Sequence, residues 1–443
     1  MRYIPHPYQE TAERFIDANP FSLLAMEMGL GKTVVTATAL ERWLRTFESI
    51  KPLIVAPKYV AINTWPDEFQ KWDHLQHLRV AQLACARSTR IETLRYADAD
   101  VWVINRDNFR WLAAGYAAAH KPWPFDTVII DESTAFKDHG TDRWKAATWA
   151  RKFCSRVVML TGTPITNSHM DLWGQIRILD QGQRLFKTVT DFRNYACVPA
   201  PSGFGWKLRD ESMKRWIEER VSDIVLPMRA EDWLDMPELH VVDVPVALPP
   251  KARKAYDQMR KESQALGVAV GAEAQVLGKL AQIANGAMYD EDRNVIEIHD
   301  AKINALGEIL EATGEPTIVC YYFKHDLARL QKRFPQGVEA SAPGAIKRWN
   351  EGRIPILWLH SAANSEGLNL QAGGRHMVWF SLTYSLQNYL QTIARLHRQG
   401  QRNRVICHRL MADVPADRRY DEILHAKDGD LRSLVANLLA MPV

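Results

Sequence analysis

The sequence lacks any C-x-x-C pair: its five cysteines, Cys85, Cys154, Cys197, Cys320 and Cys407, are scattered over 443 residues. That spacing excludes a zinc ribbon and a disulfide framework and leaves the thiols as buried side chains. No apolar run approaches the roughly 20 residues that span a bilayer, and the start Met1-Arg2-Tyr3-Ile4-Pro5-His6 is no signal peptide. A chain inside the cell, with no membrane partner, is expected. Strong charge bias is missing too: the net charge of +4 is compatible with nucleic acid and too weak to prove it. What remains is an ordinary globular composition, 47% hydrophobic and 24% charged, long enough for two or three cores. Tryptophan is plentiful at 15 residues, and these read chiefly as packing anchors rather than base-stacking platforms.

The most informative stretch is Met26-Glu27-Met28-Gly29-Leu30-Gly31-Lys32-Thr33, which follows an apolar run, residues 21–25, and opens an Ala- and Thr-rich run, residues 33–44. It is therefore expected at a strand-to-helix turn. Gly29 and Gly31 let backbone N–H groups close on phosphate oxygens, Lys32 brings a point charge, and the Thr33 hydroxyl can ligate Mg2+. Met26 stands where the full P-loop pattern has its first glycine. Upstream, Gln9 in Pro5-His6-Pro7-Tyr8-Gln9 can read an adenine edge with donor and acceptor together.

Further apolar runs have polar residues at their carboxyl ends, as buried parallel strands do. Residues 53–58 end in Pro57-Lys58, residues 101–105 in Asn105-Arg106, and residues 127–133 in Asp131-Glu132-Ser133. Beside a P-loop, Asp131 can hold Mg2+ through water while Glu132 orients and deprotonates the attacking water. Residues 157–160 lead into Thr161-Gly162-Thr163-Pro164, whose hydroxyls can sense a γ-phosphate, although a plain turn would look similar.

From about residue 165 to 240 strand spacing gives way to amphipathic runs, read as a helical insertion on which a protein partner could dock. A boundary near His240 divides the chain into 1–240, the nucleotide-binding lobe, and 241–443, with a linker and helical segment over about 249–290. Residues 267–278, rich in Gly and Ala, read as flexible. The second half repeats the strand and helix alternation over 317–322, 354–359, 376–380 and 404–410 without a second P-loop. Gln391, Arg395 and Arg398 are spaced four and then three apart, so on one helix they share a face. Arginines delivered from a separate lobe to a γ-phosphate are an arginine-finger arrangement, where the plainer alternative is a solvated basic face. The small, polar loop from Ser361 through Gly367 to Gln371 offers contacts to phosphates of nucleotide or nucleic acid.

Assembled in this order, the chain resembles superfamily 2 helicases and, within them, the Swi/Snf-type DNA translocases. The resemblance is carried by Pro7-Tyr8-Gln9, residues 27–33 and 54–58, Asp131-Glu132, the run L-T-G-T-P-I-T-N over 160–167, residues 366–371, and Q-T-I-A-R-L-H-R-Q-G-Q over 391–401. It implies an α/β fold of two RecA-like P-loop lobes, parallel sheets flanked by helices, with ATP and Mg2+ between them and double-stranded DNA across both. It places Gly367 and Gln391 with the nucleotide and Lys58, Asn105, Arg106 and Ser361 at the DNA. The acidic motif departs from the usual Asp-Glu-Ala-His, reading Asp-Glu-Ser-Thr; Met26 replaces an acid, and Asn364-Ser365 replace a glycine pair. The compact length looks like the minimal versions found in phages, so a single-chain motor in a bacterial or phage-infected cytoplasm is expected. The competing readings are a strand-separating DNA or RNA helicase and an ATP-gated nucleic-acid-binding scaffold.

Overall fold

The computed structural model describes residues 1–200, 205–265, 270–362 and 368–441. Short apolar runs buried on both faces form the strands of a parallel sheet, as expected where helices cover both sides. In chain order these are β1 Phe21–Met26, β2 Pro52–Ala56, β3 Val80–Gln82, β4 Val101–Asn105, β5 Thr127–Asp131, β6 Arg156–Thr161 and β7 Val225–Met228. Their order across the sheet is β3-β4-β2-β5-β6-β1-β7, and every pairing is parallel.

Register decides what this sheet can do. Ala25 lies level with Thr161, and Asp131 lies level with Leu160, so β1, β5 and β6 end together on one edge. The stretches that follow these strands are the P-loop, the acidic pair and the Thr161 turn.

The second sheet comprises β8 Leu239–Val246, β9 Thr317–Tyr321, β10 Val338–Glu339, β11 Ile356–His360, β12 His376–Trp379 and β13 Val405–Ala412. Its order is β8-β13-β12-β9-β11-β10, again all parallel. Alternation along a strand divides its core between two faces. Ile318 and Cys320 pack with Trp349 and Trp379 on one side, while Val319 and Tyr321 pack with Trp358 and Phe380 on the other. Trp43, Trp65, Trp349, Trp358 and Trp379 are all fully buried, in keeping with tryptophan as a packing residue. Each such large side chain contributes on the order of 2–3 kcal/mol by leaving water.

The chain divides into two compact units. The first comprises Met1–Val198, Trp206–Leu234 and Gly429–Val443; the second comprises Pro199–Gly205 and Asp235–Asp428. The expected α/β class with two parallel sheets is therefore what the chain adopts. Residues 429–443, read from sequence with the second lobe, group with the first unit, where Asp430 pairs with Lys214 at 2.8 Å and Asn437 donates to Glu218 at 3.0 Å.

Two segments differ from the sequence reading. The stretch 165–240 contains helices Asp171–Asp180, Val189–Ala196 and Glu211–Val221, and it also supplies β7 to the first sheet. Residues 266–269 lie outside the described residues, but helix Val270–Asn285 covers much of the stretch read as flexible. Alanine, leucine and glutamine outweigh the glycines there, and helix propensity wins. Among the described residues no helix is long and apolar enough to cross a membrane.

Candidate nucleotide site

The first helix, α1 Pro7–Ala18, starts with proline at its first turn, and Gln9 closes a capping arrangement by accepting the His6 N–H at 2.9 Å. The other end of the Gln9 amide donates to the Leu30 carbonyl at 3.1 Å. Gln9 is thus buried and fastens α1 to the P-loop through both ends of its amide. Helix α2, Lys32–Arg45, begins immediately after Gly31, whose φ of 80° is left-handed; Gly29, at φ 91°, is left-handed as well. A side chain at Gly31 would be strained there and would lie 2.6 Å from the Gln9 amide nitrogen. The loop therefore leaves the amides at the start of α2 without intrahelical partners, as phosphate binding requires.

Lys32 and Thr33 open α2. The Lys32 ammonium donates to the Met26 carbonyl at 2.7 Å and to the Glu27 carbonyl at 3.3 Å, folded onto the loop's own backbone. The Glu27 carboxylate accepts the Ala230 N–H at 2.8 Å. Burial pushes the Glu27 carboxyl up, and the Ala230 bond opposes that.

At the end of β5, Asp131 is buried and held by two donors, the Trp65 indole N–H at 3.0 Å and the Glu132 N–H at 2.9 Å. Burial, then the neighbouring Glu132 charge, push its carboxyl up to about 6; Lys32, Trp65 and Arg106 act against them. Lys32 and Asp131 therefore lie within each other's field. Glu132 sits at φ 51°, ψ 55°, a left-handed conformation uncommon for any residue with a side chain. Strain of this kind, about 1–3 kcal/mol, persists where the surroundings fix it, and such positions cluster at functional sites.

The surroundings that fix it were not legible as site residues. Ser133 donates to Gln175 at 2.8 Å, and Gln175 in turn donates to the Pro164 carbonyl at 2.8 Å. Thr134, standing where the related motif has histidine, shares a 2.9 Å hydrogen bond with Thr161 and donates to the Thr163 carbonyl at 3.1 Å. The Asp-Glu-Ser-Thr turn is thus tied at two points to the turn after β6. Helix Asp171–Asp180 packs on the same turn so closely that a Cβ at Gly174 would lie 2.0 Å from the Lys137 carbonyl oxygen. Trp65, treated from sequence as packing, turns out to orient an acid.

In the second unit, helix Leu386–Ile393 is shorter than the Gln391 to Arg398 spacing requires. This corrects the shared-face reading. The Arg395 carbonyl accepts the Leu370 N–H at 3.0 Å, and the chain continues as tight turns, with Leu396 N–H on the Ile393 carbonyl at 3.0 Å. Gln391 is buried on the helix, whereas Arg395 and Arg398 follow it. The Arg395 guanidinium donates to the Leu368 carbonyl at 3.3 Å, and that of Arg398 to the Asn369 side chain. Burial lowers the Arg398 pKa. Both arginines thus rest on residues just after the stretch containing Asn364, Ser365, Glu366 and Gly367, which lies outside the described residues.

The residues assigned to DNA fall in different settings. Lys58 is exposed just beyond β2. Asn105 ends β4 at the N-cap position of helix Arg106–Ala118 without a side-chain capping bond, and it is buried. Arg106 lies near enough to Asp131 to lower that carboxyl's pKa. Ser361 is fully buried, so its side chain meets no solvent in this conformation.

The residues present suit a magnesium nucleotide: a left-handed glycine loop, an ammonium on that loop, and a buried carboxylate whose raised pKa a bound cation would bring down. The SNF2-related domain matches residues 16–291, more than half of the chain. Protein p41 of Acyrthosiphon pisum secondary endosymbiont phage 1 is 41% identical over 441 residues, covering 94% of each chain. An uncharacterized ATP-dependent helicase of Mycoplasma pneumoniae is 24% identical over 440 residues; the match takes in 94% of this chain but only 41% of that protein. Among solved structures, the Sulfolobus solfataricus SWI2/SNF2 ATPase core in complex with dsDNA superposes with a TM-score of 0.48 at 19% identity, covering 100% of this chain and 98% of that one.

Proposed function

Since the chain belongs to the SNF2-related domain family, of the Swi/Snf type within superfamily 2, we propose that it is a DNA-stimulated ATPase that translocates on double-stranded DNA. It is an ATP-hydrolysing enzyme of that superfamily. The observation that supports the ATPase at the heart of this reading is the common edge of β1, β5 and β6, followed by the segments that carry Lys32, Thr33, Asp131 and Glu132.

The chemistry follows from the side chains. The α2 amides and Lys32 bind and orient the phosphates. Mg2+, when bound, neutralises phosphate charge and would be held by Thr33 and Asp131. Glu132 takes the proton from the attacking water, its carboxylate directed by the left-handed backbone that the Ser133 and Thr134 bonds maintain. Gln9 fixes the loop through the Leu30 carbonyl, and adenine is its proposed ligand. Arg395 and Arg398 stabilise charge developing on the transferred phosphoryl group. In the proposed cycle these arginines exchange their present partners, the Leu368 carbonyl and Asn369, for phosphate oxygens. DNA would contact Lys58, with Asn105 and Arg106 at the end of the neighbouring strand.

The test is ATP turnover measured with no nucleic acid, single-stranded DNA, double-stranded DNA and RNA, with Glu132→Gln as the blank. Stimulation by duplex DNA, followed by triplex displacement on an intact duplex, supports the translocase. Stimulation by single strands or RNA alone moves the reading to an unwinding helicase, and binding without single-turnover hydrolysis moves it to a scaffold.

A further inference from the structure

Glu27 presents a puzzle of charge: it places a carboxylate in the loop that must receive a polyanion, where a neutral side chain would oppose phosphate less. Its surroundings supply a reason. The carboxylate accepts the Ala230 N–H at 2.8 Å, while the Glu27 carbonyl accepts from Lys32 at 3.3 Å and the Glu27 N–H donates to the Met228 carbonyl at 2.9 Å. One residue therefore touches the phosphate-binding ammonium at its backbone and residue 230 at its side chain.

What lies beyond Ala230 makes this contact consequential. Ala230–Asp232 forms a single 3-10 turn, pinned by Arg229 on Asp232 at 2.7 and 2.9 Å and closed by Leu234 N–H on the Ala230 carbonyl at 2.8 Å. Trp233 packs on Tyr8 of α1 at 5.5 Å between ring centroids, next to Gln9. After Leu234 the chain leaves the first unit, and β8 of the second unit begins five residues on, at Leu239.

We propose that Glu27 is a positioning residue that couples phosphate binding in the P-loop to residues 229–234, the segment by which the chain passes to its second unit. The proposal rests on the ATP-binding reading above. In the present structure Lys32 occupies the Met26 and Glu27 carbonyls; phosphate draws the ammonium off them, the Glu27 peptide loses that partner, and the Glu27–Ala230 bond carries the change into the 230–232 turn. A carboxylate serves this purpose because an anionic acceptor makes the stronger bond to a backbone N–H.

Two sides of the contact can be altered independently. Glu27→Ala removes the acceptor, and Glu27→Gln restores a neutral one. Ala230→Pro removes the donor: position 230 opens its turn and follows Arg229 in extended conformation (φ −94°, ψ 142°), the backbone that a following proline favours. Amide hydrogen exchange over 229–234 would be measured with and without a non-hydrolysable ATP analogue and Mg2+, alongside nucleotide binding by fluorescence and thermal unfolding.

In the wild type the nucleotide should change exchange at these amides by about tenfold or more. In Glu27→Ala exchange should be fast and indifferent to nucleotide, and Glu27→Gln should recover part of the response. Ala230→Pro should keep basal ATP turnover within about twofold and lose the increment due to DNA. A wild type that binds nucleotide with no response at 229–234, or a Glu27→Ala variant that responds as the wild type does, overturns the coupling. A wild type that binds no nucleotide overturns both this inference and the function it rests on. A normal exchange response without DNA stimulation leaves the coupling standing and removes the DNA-motor reading. Should Ala230→Pro melt at low temperature, the Glu27 pair alone decides.

Discussion

The first unit ends a buried strand with Asp131, held by the distant Trp65 indole, and Glu132, on left-handed backbone, whereas the second holds its arginines on turns beyond a short helix, resting on its own loop. In the proposed mechanism Asp131 and Glu132 keep their present positions when nucleotide binds. In the proposed mechanism the arginines leave the Leu368 carbonyl and the Asn369 side chain first. In the proposed mechanism such a site would bind before it reacts, and the exchange of arginine partners would be the slower step.

Substitutions can break that contrast at several strengths. Lys32→Ala and Glu132→Gln should each abolish turnover, a loss of at least about a hundredfold to ten-thousandfold for the base alone, read by phosphate release. Arg398→Ala should lower kcat by about a thousandfold while leaving nucleotide affinity within about twofold, measured by single-turnover kinetics and equilibrium binding. Wild-type, DNA-stimulated turnover in that variant would remove the second unit from the reaction. Thr134→Val keeps the shape and removes the hydroxyl that bonds Thr161 and the Thr163 carbonyl. It should cost about 1–3 kcal/mol in chemical denaturation and lower kcat without changing KM.

The smallest effect is one of pH. Asp131 has its carboxyl raised to about 6, so the folded protein takes up a proton there that the unfolded chain does not. This group's contribution to stability therefore falls as pH rises from about 4 to 6, while the proposed Mg2+ binding by this carboxylate would strengthen over the same window. Magnesium-nucleotide affinity measured at pH 5 should be about tenfold weaker than at pH 7, and Asp131→Asn should flatten that dependence.

Most strands of both sheets could be read in advance because parallel strands covered on both faces are continuous apolar runs; the very short β3 and β10 could not. Strand β7 escaped because it has four residues and includes Pro227, normally evidence against a strand. It lies at the edge of its sheet, paired with β1 alone, where a missing N–H is tolerated. The P-loop and Asp131-Glu132 were legible because their chemistry is local in sequence. Trp65, Thr134 and Gln175 were not, since each acts through a partner 27 to 66 residues away. The Arg395 and Arg398 spacing suggested a helix that ends at Ile393, because the Arg395 carbonyl is taken by Leu370, a contact no periodicity can reveal.

Gly174 touches no proposed substrate, yet the helix that carries it meets the backbone of Lys137 with no room for a methyl group. In a saturation-mutagenesis library scored for growth or turnover, this position should tolerate as little as Lys32 does. A conservation profile alone would then class it with the catalytic residues, when its constraint is the thickness of one carbon atom between two segments of main chain.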